Sequence, residues 1–213
     1  MPLYFYRLDG HVFHERLHPA LTASWRERSF ASCRALCGFL EAALRAFQTR
    51  FHVAADDMML PRIASGLRFD RRYWRTLVGE VLMVSAVDIP EFDTAPETLA
   101  WILDGRPPQP ARGDFSPIQQ AHFGGRDLRF GAAYYRPEHA GWNDTDDVTR
   151  LAAYLASLDP QRWTDADLAG LSALANDAER AEELEYVREW FPALVELYRS
   201  AAASSHIVVC ECL

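Results

Sequence analysis

Lysine is absent from this chain of 213 residues, so all 22 basic residues are arginines. The absence excludes a Schiff-base lysine, a lysine general base and a phosphate-binding P-loop, because each of these sites depends on a primary amine. The 49% hydrophobic and 12% aromatic content is that of a globular protein. The length predicts a single domain over residues 1–213.

Long apolar runs are also missing. The first apolar segment, residues 3–6, is too short for a secretory signal peptide, and no other run approaches the length of a membrane span. We therefore expect a cytoplasmic protein without membrane association. A G-x-S-x-G nucleophile elbow is absent as well, so Ser-His-Asp chemistry has no sequence signature here.

Cysteine is scarce and occurs as two pairs, Cys33 with Cys37 and Cys210 with Cys212. In a reducing cytoplasm we predict free thiols rather than disulfides. One interpretation is that the cysteines are buried small hydrophobic residues. The alternative is a zinc site of four thiolates, which requires the C-terminal strand to lie against the first long helix. Neither pair has the C-x-x-C spacing of a zinc knuckle.

The net charge of -8 is unevenly distributed along the chain. Residues 1–113 are near neutral, whereas residues 114–213 carry eight arginines against 17 acidic residues. An acidic chain repels phosphate backbones, so nucleic acid is disfavoured as the main partner. Residues 179–189 are rich in glutamate and predict an acidic helix that contacts a basic protein partner.

One local exception is a basic cluster. It contains Arg68, Arg71, Arg72 and Arg75, with Tyr73 and Trp74 between them. On one helix face these side chains would clamp a phosphate or an acidic partner. The alternative is a solvated helix face whose arginines pair with nearby acids such as Asp70.

The string His14-Glu15-x-x-His18 matches the H-E-x-x-H pattern of zinc hydrolases. On a helix the pattern places both imidazoles where they bind one zinc ion, with the glutamate as general base. Pro19 argues against this site, because a proline disfavours the α conformation of the preceding residue. We expect His18 to be extended and the segment to lie at the surface.

Polar, aromatic and glycine residues gather between positions 119 and 144. Such residues on loops are typical of a binding or catalytic site. The alternative is a turn-rich surface whose tryptophan covers the core. The candidate site residues are His122, Arg126, Asp127, Glu138, His139, Trp142, Asn143 and Asp144.

The periodicity predicts an α+β protein that is mainly helical, with a small sheet including the N- and C-terminal strands. Prolines and glycines over residues 105–117 indicate a loop or a subdomain seam. A proline at position 192 predicts either a kink or the start of a new helix. The predicted strands are 3–8 and 207–212, and a predicted hairpin joins 121–123 to 128–135. A capping box at Thr94 opens one of the predicted helices. The predicted helices are 29–51, 69–87, 94–105, 148–158, 166–175 and 179–203.

Three blocks resemble the YfbM-like proteins, a bacterial domain family of unknown function. Residues 129–138, followed by the apolar positions of 148–155, resemble a strand, proline-glutamate, helix segment of that family. Residues 186–212 are similar to its C-terminal helix and strand, and residues 73–77 to a third block. The resemblance covers about half the chain and departs from the family in the proline-rich loop and at residues 141–144. It implies an α+β fold in a bacterial cytoplasm and brings no catalytic residues.

The sequence therefore predicts an uncharacterised bacterial cytoplasmic protein that acts by binding a macromolecular partner, as a regulator or an immunity-like protein. We expect a protein partner, no nucleic acid, no membrane and no cofactor. The alternative is an enzyme, either a zinc hydrolase that uses His14, Glu15 and His18 or one with a site in the 119–144 loops.

Overall fold

A computed structural model describes residues 3–92, 94–105, 115–135 and 139–212. Helices predominate, and a small sheet contains the strands at both ends of the chain. This confirms the predicted α+β class. The described strands of this sheet follow the order β1 (Leu3–Asp9), β6 (His206–Cys212), β5 (His139–Asn143) and β2 (Arg126–Asp127). A separate two-stranded ribbon pairs β3 (Arg129–Phe130) with β4 (Ala133–Tyr134).

The chain divides into two compact units. The first unit consists of Met1–Phe5, Pro90–Asp127 and Glu138–Leu213, and the second of Tyr6–Ile89 and Leu128–Pro137. The expected seam at 105–117 falls inside the first unit, and its residues 106–114 lie outside the described part. Whether the whole chain acts as one domain stays a prediction.

In the first unit, helices pack on the sheet around a core that includes Trp163, Phe191 and Tyr198. Strand β5 pairs antiparallel with β6 from His139↔Cys212 to Asn143↔Val208, and β2 pairs antiparallel with β5. The elements are α7 (Pro96–Asp104), α8 (Pro117–Phe123), β2 (Arg126–Asp127), β5 (His139–Asn143), α9 (Thr145–Ala156), 3-10 turns at Pro160–Arg162 and Asp165–Leu168, α10 (Asp177–Ala203) and β6 (His206–Cys212).

Side-chain caps define where the helices of this unit begin. The Ser116 hydroxyl accepts a hydrogen bond from the Gln119 amide of α8, and the Asp144 carboxylate accepts from the Asp147 amide of α9. The Asn176 side chain caps α10 in the same way. Helix α10 then continues through Pro192, whose side chain is exposed, so no new helix starts at this position; a kink there stays a prediction.

The second unit is built around Trp74, Phe13 and Phe30, all of them buried. Asp70 caps its longest helix by accepting a hydrogen bond from the Arg72 amide. The elements are β1 (Leu3–Asp9, which enters from the first unit), α1 (Gly10–Val12), a π-helical turn (Phe13–Leu17), α2 (His18–Glu27), α3 (Ala31–Phe39), α4 (Glu41–Phe51), a 3-10 turn (Ala55–Asp57), α5 (Met59–Ala64), α6 (Arg71–Ser85), β3 (Arg129–Phe130) and β4 (Ala133–Tyr134).

The expectation that Pro19 forces His18 into an extended conformation is wrong. His18 has φ -60° and ψ -44°, so the helical path continues through it. The His18 amide donates to the Phe13 carbonyl, five residues back, and the hydrogen-bond register changes from π to α at this point. Pro19 lies in the first turn of α2, where backbone amides have no acceptor within the helix. Its missing amide hydrogen therefore does not interrupt the helix.

Other element boundaries also differ from the expectations. The predicted helix 29–51 is interrupted at Leu40, and residues 121–123 end α8 instead of forming a hairpin strand. The ribbon turns at Gly131, where φ is +65°. Ala95, not Thr94, is the N-cap of α7. The predicted helix 166–175 is only a 3-10 turn, although the capping box at Thr164 is present.

Candidate functional site

The glycines of the 119–144 region allow a close backbone approach within the first unit. A Cβ on Gly141 would lie 2.0 Å from the Phe123 carbonyl oxygen, and one on Gly124 would lie 2.2 Å from the Trp142 nitrogen. Gly124 also has φ +80°, a conformation that L side chains rarely adopt. These glycines are therefore needed to seat β5 against the end of α8.

Asn143 is fully buried and joins three elements of the first unit. Its Oδ1 accepts from the Gly125 amide at 2.7 Å, and its Nδ2 lies 2.8 Å from both the Gln120 carbonyl and the Tyr198 hydroxyl. The Tyr198 hydroxyl donates to the Ala121 carbonyl at 2.7 Å. Burial raises the pKa of Tyr198 well above its usual value, so the phenol stays neutral.

His122 is buried beside Trp190, with the ring centroids 5.8 Å apart and the planes nearly perpendicular. Its Nδ1 lies 3.0 Å from the Ile118 carbonyl oxygen. Among the described residues, neither its Nε2 nor the Trp190 Nε1 has a hydrogen-bond partner. Burial lowers the pKa of His122 from 6.5 to about 4, so the imidazole is neutral at pH 7.

Arg126 is held by two carboxylates. Its guanidinium forms an ion pair with Asp144 at 2.7 Å and another with Asp147. It also lies over the Trp142 ring, with 5.3 Å between the guanidinium carbon and the ring centroid. Because Asp144 also caps α9, this group fixes the start of that helix. Asp127, the next residue of β2, is exposed.

The last two predicted residues of this region are His139 and Glu138. His139 Nε2 lies 2.6 Å from the Phe123 carbonyl oxygen, and its ring packs edge-on against Phe123 and Phe115. Glu138 lies outside the described residues. The structure thus brings together most of the predicted set, but their polar atoms mainly hold β5, α8 and α9 together. A binding or catalytic role for them stays a prediction.

The His14-Glu15-x-x-His18 motif lies on the π-helical turn in the second unit. Both imidazoles pack against Phe13, with centroid distances of 5.3 Å and 5.6 Å. His18 Nε2, however, lies 2.8 Å from the Arg129 carbonyl oxygen, which commits that nitrogen to a hydrogen bond. No group of three or more metal-ligating side chains occurs within residues 3–92, 94–105, 115–135 and 139–212.

The cysteines are unpaired thiols. Cys33 and Cys37 belong to the second unit, whereas Cys210 and Cys212 belong to the first. Burial raises the pKa of Cys33 from 9.0 to about 11 and raises those of Cys37 and Cys210 as well. These thiols therefore resemble small buried hydrophobic groups more than reactive nucleophiles.

Charge is separated between the two units. The first carries eight arginines against 21 acidic residues, a formal charge of -13, and the second carries 14 arginines against nine, a formal charge of +5. Each described arginine of the first unit forms an ion pair with an acidic side chain; these are Arg126, Arg150, Arg162, Arg180, Arg188 and Arg199.

The arginines of the second unit include a group that stacks on aromatic rings. The Arg28 guanidinium carbon lies 4.0 Å from the Trp25 ring centroid and 5.9 Å from that of Phe69. The Arg71 guanidinium carbon lies 5.5 Å from the same tryptophan. We call Trp25, Arg28, Phe69 and Arg71 the Trp25 surface.

Sequence reasoning located the Trp25 surface only in part. Helix α6 begins at Arg71, so Arg68 precedes it and the four predicted arginines do not share one helix face. Trp74 is fully buried and is not available to a ligand. The sequence analysis did not identify Trp25 and Arg28, whose only sequence signal is a tryptophan followed by two arginines at the end of α2. Their contact with Phe69 and Arg71 arises from tertiary packing.

The comparisons with known proteins concern the fold. Among solved structures, the chain is similar to YfbM from Escherichia coli, a protein of unknown function, with 12% sequence identity and a TM-score of 0.48. The match covers 99% of this chain and 98% of that one, which is wider than the half covered by the sequence resemblance. No family model matches the chain, and no curated protein matches it. Within the described residues, no helix has the length and apolar character needed to cross a bilayer.

Proposed function

We propose that this protein acts by binding a macromolecular partner and that the exposed acidic face of α10 contacts a basic protein. The observation that carries this proposal is the uncompensated negative charge of the first unit. Its formal charge is -13, and its described arginines are already neutralised by neighbouring acids. Exposed carboxylates without a partner among the described residues, such as Glu182 and Glu189, are therefore available to cations from outside the chain.

The acidic face of α10 is defined by Glu182 and Glu189, two helical turns apart on the solvent side. Within the described residues, neither carboxylate has an ion-pair or hydrogen-bond partner. The opposite side of the same helix is buried in the core through Leu184, Val187 and Phe191. The helix is thus held rigidly by its apolar side while it presents carboxylates to solvent.

Charge of this kind acts mainly on the rate and specificity of association. A patch of one sign attracts a partner of the opposite sign before contact and accelerates docking at low ionic strength. Each exposed pair contributes only about 0.2–1 kcal/mol, so several must act together. The affinity should therefore fall steeply as salt is added.

We further propose a cytoplasmic location. The support is chemical: all four cysteines are unpaired, as expected in a reducing compartment.

The test is a pull-down with the full-length protein at low and high salt, followed by titration of the captured protein. The double substitution Glu182→Gln/Glu189→Gln should weaken binding at low salt. Glu196→Gln is the matched control on the same helix, because Glu196 is already paired with Arg199. Failure to capture a salt-sensitive partner, or equal binding by the double variant, would contradict the proposal.

A further inference from the structure

The Trp25 surface of the second unit holds two cations against one indole ring. Both guanidinium carbons lie within 5.5 Å of Trp25. Stacking on an aromatic face is favourable for a guanidinium and orders an otherwise flexible side chain. Among the described residues, neither guanidinium has a hydrogen-bond or ion-pair partner, so its N–H groups remain free to donate hydrogen bonds.

No carboxylate among the described residues neutralises these two arginines. The nearest acids along the chain have other partners. Glu27 forms its ion pair with Arg26 at 3.3 Å. Asp70 accepts a hydrogen bond from the Arg72 amide as the cap of α6. The surface therefore keeps its positive charge, in contrast to the arginines of the first unit.

Both arginines also occupy positions where the local helix geometry favours a different type of residue. Arg28 ends α2 in the left-handed region with φ 53°, where a glycine has no steric cost. Arg71 opens the first turn of α6, where the helix dipole favours an acidic residue. Helix geometry alone therefore does not explain an arginine at either position.

We propose that the Trp25 surface binds a short acidic segment of a partner protein, with side-chain carboxylates accepting paired hydrogen bonds from Arg28 and Arg71. The planar guanidinium matches a carboxylate in bidentate geometry. Phe69 and the Trp25 ring supply apolar contact beside it. Because the whole chain has a net charge of -8, it repels an extended polyanion, and a short acidic segment is favoured over nucleic acid. The Trp25 surface belongs to the second unit and α10 to the first. The partner segment proposed here is acidic, whereas the partner proposed for α10 is basic.

The test measures the fluorescence anisotropy of a short labelled oligoglutamate peptide titrated with the full-length protein at low salt. Arg28→Gly and Arg71→Gln should each weaken binding by about tenfold, the loss expected for one charge-assisted hydrogen bond. Arg28→Gly should not lower the melting temperature, because it relieves the positive φ. This outcome separates loss of binding from loss of folding.

Two controls lie in the same unit. His52→Gly relieves the same left-handed conformation, with φ 54°, and should leave binding unchanged. Arg45→Gln removes an arginine already paired with Glu41 and should also have no effect. Wild-type affinity in Arg28→Gly would overturn the proposal. So would tighter binding of single-stranded DNA that is lost in the same variant, because the occupant would then be nucleic acid. Glu182→Gln/Glu189→Gln should bind the peptide normally, which keeps this test independent of the proposed function.

Discussion

Asn143 and Tyr198 are hydrogen bonded to each other at 2.8 Å inside the first unit, although 55 positions separate them in the sequence. The bond ties the end of β5 to the C-terminal part of α10. The Tyr198 hydroxyl also donates to the Ala121 carbonyl at the end of α8. One phenol oxygen thus serves three elements.

Replacing this hydroxyl should destabilise the protein. Tyr198→Phe leaves the Ala121 carbonyl and an Asn143 N–H without their buried partner, and we expect a loss of about 1–3 kcal/mol in the free energy of unfolding. Urea denaturation followed by circular dichroism measures it. Tyr134→Phe is the control, since Tyr134 is 53% exposed. Equal stability of Tyr198→Phe and wild type would show that water or a rearranged side chain satisfies the freed groups.

Alanine substitutions at two glycines should change stability in opposite directions, because the surroundings of the two glycines differ. Gly141→Ala places a Cβ 2.0 Å from the Phe123 carbonyl oxygen. Because this is a clash with buried backbone, we expect the free energy of unfolding to fall by about 3 kcal/mol or more. Gly38→Ala, on α3 with nothing within 4 Å of the new Cβ, should instead stabilise the helix by about 0.5–1 kcal/mol. Thermal melts of the two variants compare them directly. If Gly141→Ala melts like wild type, β5 does not approach α8 as described.

His122 should make stability depend on pH. Its pKa is about 4 in the folded protein and 6.5 for an unperturbed imidazole, so between these values the unfolded chain binds more protons. The free energy of unfolding therefore falls as the pH is lowered from 6.5 towards 4, by about 3 kcal/mol in total from this group. Urea denaturation across that range should show the loss. His122→Gln should reduce the slope, whereas the exposed His52→Gln should leave it unchanged.

Metal removal should have no effect on folding. His18 Nε2 is 2.8 Å from the Arg129 carbonyl oxygen, so binding zinc through that nitrogen would break an existing hydrogen bond. We expect dialysis against a chelator to leave the melting temperature unchanged. Metal content measured on protein purified without a histidine tag provides the control. A stoichiometric zinc ion that is lost in His18→Ala would favour the hydrolase interpretation instead.

The terminal strands and the long helices were predictable from local pattern. Apolar residues 207–210 form a buried strand, and the stripe of Leu184, Val187, Phe191 and Leu194 defines the inner face of α10. These elements bury continuous apolar surface, which the spacing of apolar residues along the sequence reveals.

The elements that were missed depend on contacts remote in sequence. Strand β5 has no alternating pattern, because Gly141 is required by the approach of the Phe123 carbonyl. Helix α8 had a signal that was overlooked, since Ser116 followed by Pro117 is typical of a helix start. Pro19 shows the reverse case. A residue that usually ends a helix is tolerated here because it lies in the first turn of α2, directly after the π-helical turn.

The clustering of the polar residues of 119–144 was predictable from the sequence, but their burial was not. The polar residues of 119–144 do gather in one unit, yet sequence spacing gave no sign that His122 and Asn143 are almost completely shielded from water. Nor could it show that Trp25 and Phe69 meet, because these residues are joined only by packing of α2 on the segment before α6.

Each unit is assembled from segments that are distant along the chain. The second unit cannot be completed until residues 128–137 have been synthesised, and the first cannot be completed before β6, the last of its described strands. During translation, the apolar residues of β1 are therefore synthesised well before β6, the strand that lies next to them in the sheet. A simple truncation would deprive either unit of an essential segment, so the two must be produced together.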